Sequence, residues 1–99
     1  MTTQQNTQNT YTEITFEYEN FEGKQISKTI KIKRPDVHQF DRAIKDMKKN
    51  LRKALDMLIS GNLEKEDQEW YDSEKLKYPG ITLSIGETYL IRLGVASGN

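Results

Sequence analysis

The sequence predicts an α+β fold in which an N-terminal antiparallel β-hairpin is followed by two or three helices, the first long and amphipathic. Apolar residues alternate with polar ones over residues 11–19 and again over residues 26–32, which predicts two half-buried strands. A seven-residue apolar repeat over residues 36–60 predicts the long helix. The 99 residues suit one domain better than two, because domains cluster at about 100–150 residues.

The two predicted strands have complementary outward faces. Ile14, Phe16 and Tyr18 share one face of the first strand, and glutamates occupy the other. In the second strand, isoleucines at positions 26, 30 and 32 alternate with serine, threonine and lysine. The segment between them, Asn20-Phe21-Glu22-Gly23, is typical of a turn. An acidic face beside a basic one is the arrangement expected of antiparallel neighbours.

The long helix has predicted boundaries at both ends. Arg34-Pro35 ends the sheet, and Asp36 followed three residues later by Gln39 predicts an N-cap with a capping box. Gly61 suits the C-terminal end. Between these ends runs an apolar seam at alternating spacings of three and four, made of Val37, Phe40, Ile44, Met47, Leu51, Ala54 and Leu58.

The rest of the chain predicts one acidic helix and one ambiguous segment. Residues 64–76 form the second predicted helix, and Tyr78-Pro79-Gly80 ends it. Residues 81–93 fit either a strand or a helix, and we favour the helix although several of its residues are β-branched. The acidic residues of the second helix and its entry are Glu64, Glu66, Asp67, Glu69, Asp72 and Glu74.

Composition divides the chain into three parts. Residues 1–10 are polar apart from Met1, so we expect a disordered tail. Residues 11–95 form the single predicted α+β domain, and residues 96–99 form a flexible C-terminal tail. Whether a domain this small folds alone cannot be derived from burial, because apolar burial and ordering entropy nearly cancel at this size. Homo-oligomerisation is therefore compatible with the sequence.

Composition also excludes most chemistry. The chain has no cysteine and one histidine, His38, so we expect no catalytic residues, no metal site and no cofactor. It is not expected to be an enzyme.

Membrane and nucleic-acid partners are not expected either. No apolar run approaches the roughly 20 residues that span a bilayer. Formal net charge is zero, and nucleic-acid binding is not expected, because acids interrupt the basic helix surface formed by Arg42, Lys45, Lys48, Lys49, Arg52 and Lys53.

Two stretches of the chain carry short, packing-type motifs. The first is Lys31-Ile32-Lys33-Arg34-Pro35, followed by Phe40-Asp41-Arg42 and a basic amphipathic helix. The second is Tyr78-Pro79-Gly80 with the alternating small and aliphatic residues that run to Gly86. In these stretches the chain resembles the tail assembly chaperones of long-tailed bacteriophages and prophages. The resemblance implies a non-enzymatic factor in the host bacterial cytoplasm that binds the tape measure protein, or another tail protein, and assists tail tube assembly.

Under this resemblance the apolar seam and three aromatic residues are candidates for a partner-binding groove. The same side chains would form the core if the domain is closed, and the sequence leaves both possibilities open. The alternative function is a small phage or prophage inhibitor of a host defence protein that acts through the acidic helix. The candidate partner-binding residues are Phe40, Ile44, Met47, Leu51, Leu58, Trp70, Tyr71 and Tyr89.

Overall fold

A two-stranded antiparallel hairpin opens the fold, in a computed structural model that describes residues 10–95. Strands β1 (Thr12–Glu19) and β2 (Gln25–Ile32) pair over their full lengths. The predicted hairpin is thereby confirmed. Glu13 lies opposite Lys31 as the charge pattern predicts, whereas Glu17 lies opposite Ser27. Except for Thr10, the two predicted tails lie outside the described residues.

The hairpin turn is held by one asparagine side chain. Asn20 Oδ1 accepts hydrogen bonds from the backbone N–H groups of Glu22 and Lys24, at 3.0 and 2.9 Å. Gly23 has a φ of 86°, a left-handed conformation that other residues adopt only with strain. The turn therefore fixes the register that places Ile14, Phe16, Ile30 and Ile32 on the buried face.

Four helices follow the hairpin within the described residues, so the prediction of two or three is wrong in number. The third and fourth correspond to the predicted acidic helix and to the ambiguous segment, which is helical. In chain order the helices are α1 (Val37–Met47), α2 (Leu51–Ser60), α3 (Lys65–Lys77) and α4 (Ile81–Arg92).

The predicted long first helix is also wrong, because residues 48–50 divide it into α1 and α2. Asn50 has extended backbone angles, and its side-chain oxygen accepts a hydrogen bond from Lys53 N at 3.1 Å. It is thus the N-cap of a new helix. The predicted capping box at the start of α1 is confirmed: Asp36 accepts from Gln39 N, and the Gln39 side chain accepts from Asp36 N.

The segment between α2 and α3 returns to the sheet. Leu63 forms an antiparallel bridge with Ile32 at the outer edge of β2. Lys33 N donates to Asn62 O, and Glu64 N donates to Lys31 O. The Asp67 carboxylate then accepts from Lys31 N at 2.7 Å. These bonds satisfy the backbone groups at one end of this edge and fix where α3 begins.

One hydrophobic cluster joins both strands to all four helices. Helix α4 packs against β1 and α2, and Gly86 permits this approach, since a Cβ at Gly86 would lie 2.8 Å from a methyl carbon of Leu55. The fully buried members include Ile30, Ile59, Tyr71 and Ile85. The core therefore lies between the inner face of the hairpin and the helices, and its buried hydrophobic side chains are Ile14, Phe16, Ile30, Ile32, Ala43, Leu55, Leu58, Ile59, Leu63, Tyr71, Ile81, Ile85 and Tyr89.

A buried polar cluster joins three of the helices. Tyr71 Oη in α3 donates to Asp56 Oδ1 in α2 at 2.7 Å. The Thr82 hydroxyl in α4 lies 2.8 Å from Tyr71 Oη, and it donates because the tyrosine proton is already committed to the carboxylate. Lys75 Nζ lies 2.9 Å from the same Asp56 oxygen and 4.8 Å from the centre of the Tyr71 ring.

The surroundings of these groups shift their pKa values. Burial raises the pKa of Tyr71 well above its ordinary value, and the Asp56 carboxylate adds to that rise. Burial alone would raise the pKa of Asp56, but the hydrogen bonds from Lys75 and Tyr71 outweigh it and leave the pKa below its usual range. Tyr18 lies outside this cluster. Its burial and, to a smaller extent, the hydrogen bond that it donates to Glu74 raise the pKa of Tyr18 to about 12.

The substitution Asn50→Ala tests the break between α1 and α2. It removes the oxygen that caps Lys53 N, and we expect the free energy of unfolding to fall by about 1 kcal/mol. Urea denaturation followed by circular dichroism measures this change. Asn50→Asp keeps an acceptor and is the matched control, so an equal loss in both variants would contradict the capping role.

The substitution Tyr71→Phe tests the polar cluster. It leaves Asp56 and Thr82 without their shared partner, and we expect a loss of about 1–3 kcal/mol in the free energy of unfolding. Tyr78→Phe is the control, because the Tyr78 hydroxyl has no hydrogen bond to another side chain within residues 10–95.

The effect of Tyr71→Phe should also depend on pH. A depressed Asp56 pKa contributes stability above the unfolded-state value of about 3.9, and this contribution is lost as the pH falls through the folded-state value. Because the variant removes one hydrogen bond that lowers this pKa, the gap in unfolding free energy should be largest near neutral pH and shrink below about pH 4. Urea denaturation over this pH range measures it, and a gap that widens on acidification would contradict the assignment.

Candidate functional site

A groove of about 250 Å³ lies between α1 and α2. Its apolar floor contains two alanines, a methionine and a leucine, and polar or charged side chains form its rim. Met57 is 56 % exposed, whereas Leu58 beside it is buried. This groove is the candidate functional site, and its lining residues are Asp36, His38, Gln39, Arg42, Ala43, Asp46, Ala54, Met57 and Leu58.

Local structure explains why the groove exists at this place. The break at residues 48–50 turns α2 back against α1, so the end of α2 lies beside the start of α1. Gly61, just after α2, is so close to Gln39 that a Cβ added at Gly61 would lie 3.4 Å from Gln39 Nε2. Ala43 and Ala54 are small side chains at the helix contact and leave space above them. The capping box holds Asp36 and Gln39 at the rim.

The polar rim of the groove carries the single histidine of the chain. His38 is exposed, and no side-chain hydrogen bond joins it to another group within residues 10–95. One Asp36 oxygen is already committed to Gln39 N. A catalytic base needs an oriented partner, and none of the rim residues supplies one. Among residues 10–95, no group of three or more histidine, cysteine or acidic residues is placed to hold a metal ion.

The predicted partner-binding residues do not form this groove. Leu58 is the one member of the predicted set that lines it. Ile44 and Leu51 are 39 % and 49 % exposed but lie outside the groove, and Phe40 and Met47 are half-buried. The seam is thus divided between core and surface.

The structure places two of the three predicted aromatic residues in the core and leaves the third half-buried. Tyr71 and Tyr89 are core residues with 0 % and 2 % exposure, which is the closed-core arrangement of the two that the sequence left open. The Tyr89 hydroxyl donates to Lys33 O at 2.6 Å, and burial raises the Tyr89 pKa. Trp70 is half-buried: its ring lies 6.0 Å from that of Phe16, and Lys28 Nζ lies over it. The aromatic character of these three residues did not by itself show whether they pack in the core or line a binding surface.

Sequence reasoning missed Met57, Ala43 and Ala54 as groove residues. Ala54 belongs to the seam and Met57 lies three positions further along α2, so both were within reach of a helical-face argument. No signal in the sequence shows that Ala43 and Ala54 line one groove, because that depends on the helix break.

The acidic helix presents fewer free carboxylates than its composition predicts. Asp67 accepts from Lys31 N, Glu74 accepts from the Tyr18 hydroxyl, and Glu64 caps Glu66 N. The six cations of the predicted basic surface on α1, α2 and their connection are all exposed, and no ion pair within residues 10–95 involves them.

Within residues 10–95, the hairpin and four helices define an α+β fold. The domain of unknown function family DUF6848 matches residues 3–98, which shows that the chain is a member. No curated protein matches it. Its structure is similar to that of the uncharacterised protein RBSTP2171 from Bacillus stearothermophilus, with a TM-score of 0.66, 19 % sequence identity, and coverage of 87 % of this chain and 86 % of the other. At this identity the likeness establishes the fold alone.

Proposed function

We propose that this protein is a non-catalytic binding module whose α1–α2 groove receives an amphipathic helix of a partner protein. The observation that carries the proposal is the exposed Met57 side chain, which with three buried apolar residues forms the floor of a groove between two helices. Helix-in-groove recognition uses apolar anchor side chains of this kind, and methionine adapts to irregular partner surfaces. A groove of about 250 Å³ would take a small number of anchor side chains and leave the rest of the helix outside.

The finer proposal is a tail assembly chaperone whose client is the tape measure protein or another phage tail protein. It rests on the resemblance of the Lys31–Pro35 and Tyr78–Gly86 segments, and it places the protein in the host bacterial cytoplasm. An apolar groove with a mixed charged rim suits a factor that covers client helices and stays soluble. Several copies on one long client would agree with such a role. Within residues 10–95, no helix is long and apolar enough to cross a membrane.

The alternative proposal is an inhibitor of a host defence protein that uses the acidic helix. It needs several free carboxylates on one surface to occupy a basic channel. Asp67 and Glu74 already accept hydrogen bonds from the sheet, so the geometry favours the groove.

Affinity capture from cells that produce the parent phage tests the chaperone proposal. Tagged wild-type protein should retain a long, helix-rich tail protein, identified by mass spectrometry. Met57→Glu places a charge in the groove and should reduce the retained protein at least about tenfold, because the carboxylate would have to be desolvated on binding. Met57 is exposed, so we expect the variant to fold.

Leu76→Glu is the matched control for this experiment. Leu76 in α3 is 81 % exposed and lies outside the groove, so the same type of change there should leave client binding intact. Circular dichroism of both variants verifies their fold. Capture of a host nuclease or immune effector in place of a tail protein would overturn the chaperone proposal, as would equal losses in both variants.

A further inference from the structure

A second cleft, of about 350 Å³, lies on a different part of the molecule from the groove. The start of β1, the end of β2 with the residues after it, and the last turn of α4 form its walls. Its size falls within the range of about 300–1,000 Å³ typical of small-molecule sites. The cleft shares no lining residue with the α1–α2 groove.

The charged side chains of this cleft are all cations. Lys33 and Arg34 come from the segment after β2, and Arg92 comes from the end of α4. No aspartate or glutamate lines the cleft, and within residues 10–95 no carboxylate lies within ion-pair distance of these three cations. This concentration is notable in a chain whose formal net charge is zero.

An ordinary structural role accounts for only part of this cluster. Arg92 in the last turn of α4 has a favourable interaction with the helix dipole. Lys33 Nζ lies 6.0 Å from the centre of the Tyr11 ring, a contact at the outer limit for a cation–π interaction. Neither feature neutralises the cations. Residues 1–9, which precede the cleft residue Thr10 in the sequence, contain no aspartate or glutamate.

The floor beneath the cations is apolar and buried. Ile14, Ile32 and Tyr89 line it and are each only 2 % exposed. The Tyr89 hydroxyl donates a hydrogen bond to Lys33 O at 2.6 Å. The part of Tyr89 left to face the cleft is therefore its apolar ring, and the hydrogen bond joins this floor residue to the backbone of a cationic residue. Ordered apolar walls with a few convergent polar groups are the usual composition of a small-ligand site.

We propose that this cleft binds a small organic anion with a phosphate or carboxylate head and an apolar body. Arg34 and Arg92 can each engage such a head through two parallel N–H donors, and Lys33 adds a point charge. The apolar body lies against Ile14, Ile32 and Tyr89. An extended polyanion would need a stripe of cations, whereas these three residues line a single cleft.

The test uses anilinonaphthalene sulfonate, an organic anion whose fluorescence rises in apolar surroundings, with full-length protein. The wild type should bind this dye, and the double variant Arg34→Gln, Arg92→Gln should bind it at least about tenfold more weakly, because two charge-assisted contacts are lost. Affinity for the wild type should also fall as sodium chloride is raised. Both arginines are exposed, so the variant should fold.

The double variant Lys45→Gln, Lys48→Gln is the matched control. It removes the same net charge from the exposed surface of α1 and the turn after it, and should leave dye affinity unchanged. Methyl resonances of Ile14 and Ile32 should shift on titration of the wild type. Neutral phenylnaphthylamine should bind more weakly than the anionic dye.

Three results would overturn the proposal. They are an equal loss of affinity in the two double variants, dye-induced shifts confined to residues outside the cleft, and equal affinity for the neutral dye. The proposal is independent of the α1–α2 groove, because Met57→Glu should leave dye binding in the cleft unchanged. Failure of the client-capture experiment would therefore not affect it.

Discussion

The packing of α3 depends on the hydroxyl group of Tyr71. This residue is the one buried side chain of α3, a helix with little amphipathic character of its own. The hydroxyl donates to Asp56 in α2 and accepts from Thr82 in α4, so a single oxygen connects three helices. Lys75 completes the charge balance of Asp56. Helix α3 also supplies Trp70 and Glu74 to the hairpin, so these two contacts with the sheet depend on the same anchor.

Local patterns in the sequence were sufficient for the hairpin, the start of α1 and the acidic helix, since alternation, capping and turn chemistry are properties of neighbouring residues. They were insufficient for the break between α1 and α2. Met47 and Leu51 keep the spacing of the seam across residues 48–50, so the apolar repeat reads as continuous. Asn50 carried the local signal for the break, and its effect is visible only once its side chain caps Lys53.

The candidate site was less predictable than the fold, because exposure depends on how each helix is rotated against the sheet. The seam supplied both core and surface: Leu58 is buried, whereas Leu51 is half exposed. Periodicity identifies an apolar face, but it does not distinguish the part covered by the rest of the chain from the part left open. The cationic cleft could not be found from sequence either, since Arg34 and Arg92 are brought together by the return of α4 to the hairpin.

The bridge between Leu63 and Ile32 limits how copies of this protein can aggregate. Backbone groups at this end of β2 are occupied by residues 62–64 and by the Asp67 carboxylate, so another strand cannot add there. The opposite edge of the sheet is β1, which carries Glu13, Glu17 and Glu19 on its exposed face. Antiparallel addition of a second β1 would bring like charges together, a repulsion that guards a small two-stranded sheet against growth into larger β-assemblies.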